Sequence, residues 1–259
     1  MKRYLFLLFA VMLLGLSVDS ASAANPTQQA RYIAFRSVTA TSIDLSFTRG
    51  NGAHRIVVVS TTDFPVNPAD PTYKAPTNGV SYTQGATKGS FLSAGASTIG
   101  ADGHVVYNSN EAGNTATERT LLISGLTPGT TYYIHIFEFN TPANPEYCIN
   151  RGTVNNPANT FTAPQAPTIT QGADLLSPNG FLANWDESAG LVDMYDFQLK
   201  DAFNGGGSNY WDDPGYADFN APANDYPFSD LLPNHEYSYR VRSVKSYRYS
   251  AWTGWHNVK

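Results

Sequence analysis

The segment Leu-Thr-Pro-Gly-Thr-Thr-Tyr at residues 126–132 returns as Leu-Leu-Pro-Asn-His-Glu-Tyr at residues 231–237. Both copies read Leu-x-Pro-x-x-x-Tyr, and they lie 105 residues apart. Each copy opens a stretch in which apolar residues alternate with polar ones, which is the period of a strand with one buried face. The repeat therefore predicts two related β-domains in one chain.

Further strands are predicted at matching places upstream of the two copies. Alternating apolar residues stand at Ile43, Leu45 and Phe47 in the first copy and at Phe181, Ala183 and Trp185 in the second. Another predicted strand follows each set, at residues 55–60 and 194–199, after turns rich in Gly, Asn and Ser. Short alternating strands separated by such turns are typical of a β-sandwich.

These residues resemble those of a fibronectin type III domain. The resemblance rests on Trp185, on the Leu-x-Pro-x-x-x-Tyr corner, and on the Tyr-Ser-Tyr-Arg-Val run at residues 237–241. It implies that the tryptophan fills the space between two sheets and that the corner tyrosine bonds its hydroxyl to nearby backbone. Phe47 stands at the tryptophan position of the first copy.

The expected fold is all-β, with two immunoglobulin-like sandwiches of the fibronectin type III kind in tandem. The first is expected at residues 29–163 and the second at residues 168–259, with a Pro-rich linker at 164–167. A long insertion at about residues 61–120 enlarges the first domain, and we expect it to form a hairpin or lobe that covers one edge. Within it, residues 80–82 and 104–107 are predicted as short strands. In this enlargement, the first domain resembles the first domains of many secreted bacterial proteins of this type.

The N-terminus has the pattern of a secretory signal peptide. Lys2 and Arg3 precede an apolar run at residues 4–16, and Ala-Ser-Ala at residues 21–23 is a small-residue cleavage site. No later segment approaches the 18 apolar residues that a membrane-spanning helix needs. The sequence therefore predicts a protein without a transmembrane segment that is secreted or displayed at the cell surface after cleavage near Ala23.

Composition argues against several functional classes. The net charge of −5 lacks the basic excess of nucleic-acid-binding proteins. The one cysteine, Cys148, rules out a disulfide framework and is expected to be buried as a small hydrophobic residue. The five histidines show no catalytic or metal-binding spacing, and His135 is expected on a solvent-facing sheet position. We therefore expect no catalytic residues, no cofactor and no enzymatic activity.

The candidate binding residues are aromatic. They are Tyr210, Trp211, Tyr216 and Phe219, beside the glycines of residues 205–207, and Trp255 near the C-terminus. Exposed rings of this kind bind sugars or protein partners, whereas the alternative is that they pack onto the core. Since Trp252 and Trp255 are three residues apart, they are expected to face opposite ways on one strand.

The same loop is acidic, and its role has two interpretations. Asp212, Asp213 and Asp218 offer oxygen ligands for calcium, but they lack the spacing of a known calcium loop. The alternative is that they provide solubility and balance Arg240, Arg242, Lys245 and Arg248.

Taken from the residues and the resemblance, the expected function is a non-catalytic binding or adhesion module. Its partner would be an extracellular glycan or protein, recognised by loop aromatics held on rigid sandwiches. Two alternatives remain open: an accessory part of an exported hydrolase, and a structural subunit of an extracellular assembly that self-associates through sheet edges.

Overall fold

The structure is a computed structural model that describes residues 25–65, 74–149, 153–189, 192–201, 210–211, 219–220 and 224–258. At residues 175, 210–211 and 219–220 it describes the backbone alone. The predicted signal peptide lies outside the described residues. The described part of the chain forms strands and no helix, so the all-β prediction is confirmed.

The strands fall into two groups along the chain. The first group is β1 (Arg31–Val38), β2 (Ser42–Thr48), β3 (His54–Ser60), β4 (Thr98–Ile99), β5 (Gly103–Asn108), β6 (Thr120–Ser124), β7 (Thr131–Asn140), β8 (Glu146–Tyr147) and β9 (Ala158–Phe161). The second group is β10 (Asp174–Ser177), β11 (Gly180–Asn184), β12 (Met194–Asp201), β13 (Tyr210–Trp211), β14 (Phe219–Asn220), β15 (Asp225–Phe228), β16 (Tyr237–Lys245), β17 (Arg248–Tyr249) and β18 (His256–Val258).

The first group forms a sandwich of two antiparallel sheets. One sheet has the order β1-β2-β6, and the other has the order β4-β5-β3-β7-β8, with β9 also paired to β7. Alternate residues of these strands form one core between the sheets, and the alternating residues predicted for β2 are all in it. Its central members are Ile43, Leu45, Phe47, Val57, Val59, Leu121, Ile123, Tyr132, Ile134 and Ile136.

The larger sheet of this sandwich is buried on its other face as well. A second cluster consists of Ile56, Val58, Phe64, Ile99, Val105, Phe137, Phe139 and Tyr147. Phe64 and Ile99 come from the insertion, which therefore covers the outer face of the sheet. The predicted exposure of His135 is wrong for this reason. It is fully buried, and its ring lies 5.4 Å from that of Phe64 and 3.9 Å from that of Phe137, between ring centroids.

The insertion also covers an edge, as predicted. The amide of Gly89 donates to the carbonyl of Val106 in β5 at 2.7 Å. The carbonyl of Gly89 accepts from the amide of Ser124 in β6 at 2.9 Å. Ser90 pairs with Ser124 in a parallel bridge. This segment therefore joins the two sheets along one side of the sandwich and satisfies backbone groups that an open edge leaves unpaired.

Of the two strands predicted within the insertion, one is present. Residues 104–107 lie in β5, whereas residues 80–82 form no strand. Side chains take the hydrogen bonds there: the hydroxyl of Tyr147 donates to Val80 and the amide of Asn108 donates to Tyr82. Because these carbonyls already have partners, the segment needs no neighbouring strand.

The second group forms a smaller sandwich. The sheet β10-β11-β15 packs on a sheet with the order β13-β12-β16-β17, in which β14 pairs with β12 and β18 pairs with β16. The core between them contains Phe181, Ala183, Trp185, Tyr195, Phe197, Leu199, Tyr239 and Val241. Trp185 is 3% exposed, so it fills the space between the sheets as expected. The prediction of two β-sandwiches in tandem is therefore confirmed.

The repeated corner has the same hydrogen bond in both domains. The amide of Thr127 donates to the hydroxyl of Tyr132 at 2.9 Å, and the amide of Leu232 donates to the hydroxyl of Tyr237 at 2.9 Å. In both cases the tyrosine lies five residues after the amide that it accepts from. The expectation that the corner tyrosine bonds to nearby backbone is confirmed in each copy.

Contacts also join the two groups of strands. Arg248 of β17 donates from Nη2 to the hydroxyl of Thr160 in β9 at 2.8 Å, and its guanidinium lies 4.9 Å from the ring centroid of Phe161. The hydroxyl of Ser243 donates to the carbonyl of Gln165, within the predicted linker, at 2.9 Å.

Candidate functional site

Four of the five predicted binding residues lie in the segment between β12 and β15. Tyr216 lies outside the described residues, as do the predicted calcium ligands Asp212, Asp213 and Asp218. Tyr210 and Trp211 form β13, and Phe219 begins β14. The side chains of these three residues are outside the described part of the structure.

The register of these short strands places two aromatic positions opposite core residues. Trp211 pairs with Leu199 and Phe219 pairs with Tyr195, both in antiparallel ladders with β12. Residues directly opposite each other in such a ladder share one face of the sheet. Leu199 and Tyr195 belong to the second core. The role of the segment in binding a glycan or a protein stays a prediction.

The fifth residue, Trp255, belongs to a stack of rings and guanidinium groups on the outer face of the same sheet. Arg242 lies 4.1 Å from the ring centroid of Tyr249 and 4.3 Å from that of Trp252. Arg240 lies 4.8 Å from Trp252 and 4.6 Å from Trp255. The order is Tyr249, Arg242, Trp252, Arg240, Trp255, and we call these five residues the ladder. Each guanidinium contributes two cation–π contacts.

The expectation that Trp252 and Trp255 face opposite ways is wrong. Both rings contact Arg240. Two-residue alternation holds only along a regular strand, whereas residues 250–255, between β17 and β18, have no strand conformation. The backbone there stays attached to β16 at isolated points, for example where the amide of Thr253 donates to Val241 at 2.9 Å. The irregular stretch thus brings both tryptophans to the outer face.

Polar side chains of β12 hold the two arginines in place from the opposite side. Arg242 donates from Nε to Asp196 Oδ2 at 2.7 Å, and Arg240 donates from Nε to Gln198 Oε1 at 2.7 Å. In the register of β12 and β16, Asp196 lies directly opposite Arg242, and Gln198 lies directly opposite Arg240. The planar guanidinium groups therefore have fixed positions between the rings.

The sequence interpretation missed Arg240 and Arg242 as site residues and treated them as counter-charges. A usable signal was present. Two arginines at alternate positions of a predicted strand share one face, and aromatic residues recur every three positions at Tyr249, Trp252 and Trp255. The arginines are two residues apart and the aromatic residues are three apart. The rings can lie between the guanidinium groups because the backbone of residues 250–255 is not a regular strand.

The hairpin between β16 and β17 extends beyond one end of the ladder. Ser246 and Tyr247 have φ angles of +44° and +62°, in the left-handed region that a tight two-residue hairpin turn requires. Asp193 supports this turn, since it accepts from Lys245 Nζ at 2.6 Å and from the Ser246 amide at 2.7 Å. These hydrogen bonds, that of Lys245 foremost, hold the pKa of Asp193 below its usual value. Tyr247 is 91% exposed at the tip.

The buried side of the same sheet gives the ladder a firm support. Tyr239 lies between Arg240 and Ser238 in sequence and points into the core, where its hydroxyl donates to the carbonyl of Asn184 at 2.7 Å. Burial raises the pKa of Tyr239 to about 12. The phenol therefore stays neutral and joins the two sheets beneath the ladder at ordinary pH.

A second candidate is a hollow of about 400 Å³ between the ends of β12 and β15. Its lining includes Phe197, Tyr226 and Phe228, and the ring of Phe197 packs against the other two with centroid distances of 4.6 and 5.6 Å. Its carboxylate Asp201 is paired with His235 at 2.7 Å. These side chains already have partners within the domain, so the hollow is a weaker candidate than the ladder.

Metal-ligating side chains do not cluster within the part of the chain that the structure describes. Those residues contain no group of three or more His, Cys, Asp or Glu side chains placed to hold a metal ion. Cys148 is buried, as expected. The described segments also contain no helix with the length and apolar character to cross a membrane. The chemical groups that the ladder offers are aromatic rings and guanidinium groups.

Among known proteins, similarity to this chain is found at the level of solved structures. No protein-family model matches the sequence, and no curated protein matches it. Among solved structures, a segment of two fibronectin type III domains from chicken tenascin is similar at 14% identity. The match covers 91% of this chain and 99% of that one, with a TM-score of 0.42. A structure described as a myokine is similar at 16% identity over 38% of this chain and 97% of its own, with a TM-score of 0.29.

Proposed function

We propose that this protein is a non-catalytic binding module that acts outside the cell and recognises a partner through the outer face of β12 and β16. The observation that carries the proposal is the ladder. It collects two tryptophans, two arginines and a tyrosine on one sheet face, and these are the residue types that dominate binding energy in protein interfaces.

The exposure of the ladder supports a binding role. Trp252, Trp255, Arg240 and Arg242 are all half-buried, and Tyr249 is 47% exposed. Large rings that remain partly open to solvent on a folded domain offer apolar area to a partner. Because Asp196 and Gln198 already fix the arginines, little side-chain entropy is lost when a partner binds.

The sandwich supports the proposed mechanism of rigid presentation. β16 carries the arginines on its outer face and core residues such as Tyr239 and Val241 on its inner face. A shift of the ladder therefore requires repacking of a close-packed core, which is costly. The partner meets a surface that is already formed.

The proposal also includes export of the protein from the cell. Export is supported by the predicted signal peptide at residues 1–23.

A photo-crosslinking experiment tests this function. We would place p-benzoylphenylalanine at position 247, because Tyr247 is exposed beside the ladder without belonging to it. The matched control carries the same group at position 122, since Leu122 is 58% exposed on β6 of the other domain. Both proteins would be returned to the producing cells and irradiated.

The proposal predicts a specific adduct from position 247 that excess unlabelled protein competes away and that a Trp252→Ala background abolishes. Equal adducts from positions 247 and 122, or an adduct that survives Trp252→Ala, would overturn it. An adduct between two copies of this chain would instead favour a structural subunit. An adduct with an exported hydrolase would favour an accessory role.

A further inference from the structure

We propose that the guanidinium of Arg240 binds a carboxylate, and that the partner of the ladder face is an acidic polypeptide segment. The inference rests on the proposed function and names the chemistry of its partner. It starts from an uneven distribution of charge over the second domain. Residues 164–259 contain 12 acidic and 6 basic residues.

Half of those basic residues share one sheet face. Asp196, Gln198 and Lys200 alternate on β12, so they lie on the face opposite the core residues Phe197 and Leu199. Arg240 and Arg242 lie on the same face of β16. The outer positions of these two strands thus contain three cations and one carboxylate. An acidic domain has here a basic surface, which attracts a partner of opposite charge.

Arg240 differs from Arg242 in how its charge is balanced. Arg242 has an ion pair with Asp196. Arg240 has a neutral partner, Gln198, and within the described residues it has no ion pair and donates only from Nε. Its remaining N–H groups are therefore available at the edge of a guanidinium that two indole rings hold flat. A fixed, planar fork of donors matches the two oxygens of a carboxylate.

The spacing of the cations favours an extended polypeptide. Lys200 is two residues beyond Gln198, which pairs with Arg240, so Lys200 and Arg240 are diagonal neighbours across the two strands. Such diagonal positions are about 7–8 Å apart. Carboxylates at alternate positions of an extended chain are separated by about 6.6–7 Å, from a rise of about 3.3 Å per residue. One acidic segment can therefore meet both cations.

A glycan fits this surface less well. A sugar stacks on the face of an aromatic ring, and Trp252 has guanidinium groups of Arg240 and Arg242 against its ring. The rings of the ladder thus serve mainly to orient cations. The cations in turn offer hydrogen bonds at their edges, which suits acidic side chains.

The experiment uses the purified protein and poly-L-glutamate as the probe, with binding measured by calorimetry at low and physiological salt. Arg240→Gln is expected to weaken binding about tenfold or more, as the loss of a hydrogen-bonded charge pair does. Arg36→Gln is the matched control, because Arg36 is an exposed arginine on β1, far from the ladder in sequence and on another sheet. It is expected to bind like the unmodified protein.

A second variant distinguishes unfolding of the protein from loss of the two planar N–H donors of Arg240. Arg240→Lys keeps the charge but lacks the planar pair of donors and the Nε hydrogen bond to Gln198, so binding is expected to fall severalfold while the circular dichroism spectrum still shows a folded protein. If Arg240→Lys binds as well as the unmodified protein, the carboxylate fork is wrong. If Arg36→Gln weakens binding as much as Arg240→Gln, the interaction is general attraction and the inference fails.

Two further outcomes distinguish this inference from the proposed function. Binding of polygalacturonate but not of poly-L-glutamate, lost in Arg240→Gln, would replace the polypeptide with an acidic glycan. The absence of binding to both probes, while position 247 still gives its Trp252-dependent adduct, would overturn the carboxylate site and leave the binding module standing. The absence of that adduct as well would overturn both.

Discussion

Two strands of this protein begin with the same corner and face their surroundings differently. β7 of the first domain and β16 of the second each start near the corner tyrosine, 105 residues apart. The inner positions correspond in character: Tyr132 with Tyr237, Ile134 with Tyr239 and Ile136 with Val241. The outer positions do not, since His135 corresponds to Arg240 and Phe137 to Arg242.

This difference decides what each domain can do. In the first domain the insertion covers the outer face and forms a second core with Phe64, Phe137 and Phe139. In the second domain, the described residues that lie against the outer face are the irregular ones before β18, and the residues of the ladder are partly exposed. A covered sheet face contributes stability, whereas an open one is available to a partner. Recognition is therefore expected in the second domain.

The largest expected effect comes from exchanging the two outer residues. His135→Arg places a charged guanidinium among Phe64 and Phe137, and we expect it to destabilise the first domain by more than about 4 kcal/mol. The reciprocal change, Arg240→His, removes two cation–π contacts and one hydrogen bond of a half-buried residue and is expected to cost about 2 kcal/mol. Urea unfolding of both variants measures the difference.

The four tryptophans make this test specific, because all of them lie in the second domain, at positions 185, 211, 252 and 255. Tryptophan fluorescence therefore follows the second domain, and far-ultraviolet circular dichroism follows both. His135→Arg should change the circular dichroism transition and leave the fluorescence transition in place. Equal destabilisation by the two substitutions would contradict the contrast between a covered and an open face.

A smaller effect is expected within the ladder. Trp252→Ala removes two cation–π contacts, worth about 0.5–1 kcal/mol each, so the second domain should lose about 1–2 kcal/mol. Tyr249→Ala removes one such contact and should cost about half as much. The fluorescence-detected unfolding midpoint gives both values. A cost for Tyr249→Ala equal to that for Trp252→Ala would show that the alternating stack is not what holds these rings.

The smallest effect sharpens the comparison at the shared corner. Tyr132→Phe and Tyr237→Phe each remove the acceptor for a backbone amide, at about 1 kcal/mol. Tyr132 is 1% exposed, so water cannot replace its hydroxyl, whereas Tyr237 is half-buried. We therefore expect Tyr132→Phe to cost more. Thermal unfolding of the two variants tests the order, and a larger cost for Tyr237→Phe would contradict it.

Most of the strands and both corners were predictable because they depend on local pattern. The alternation at Ile43, Leu45 and Phe47 and the burial of Trp185 follow from two-residue periodicity and from the resemblance. The burial of the outer sheet face in the first domain was also partly predictable from the sequence. The run Ile-Val-Val-Val at residues 56–59 is continuous rather than alternating, which is typical of a strand buried on both faces. The exposure predicted for His135 overlooked that signal.

The site was less predictable, because it depends on residues that are distant in sequence. Trp255 was identified from its type, but Arg240, whose guanidinium lies over its ring, comes from β16, and Gln198, which holds Arg240, comes from β12. The rule of alternation placed Trp252 and Trp255 on opposite faces, and it fails where the backbone leaves the regular strand. Local rules cannot locate such an interruption when its cause is a contact with a neighbouring strand.

The sequence by itself determined that this chain is all-β, that it repeats one corner in two sandwiches, and which residues line the space between the sheets. These properties follow from the period of the apolar residues and from turn chemistry, both of which act over a few positions. The tertiary structure alone decided what covers each outer sheet face. An insertion folds over one face and a terminal segment lies across the other, and both contacts depend on chain paths that bring residues together from far apart in sequence.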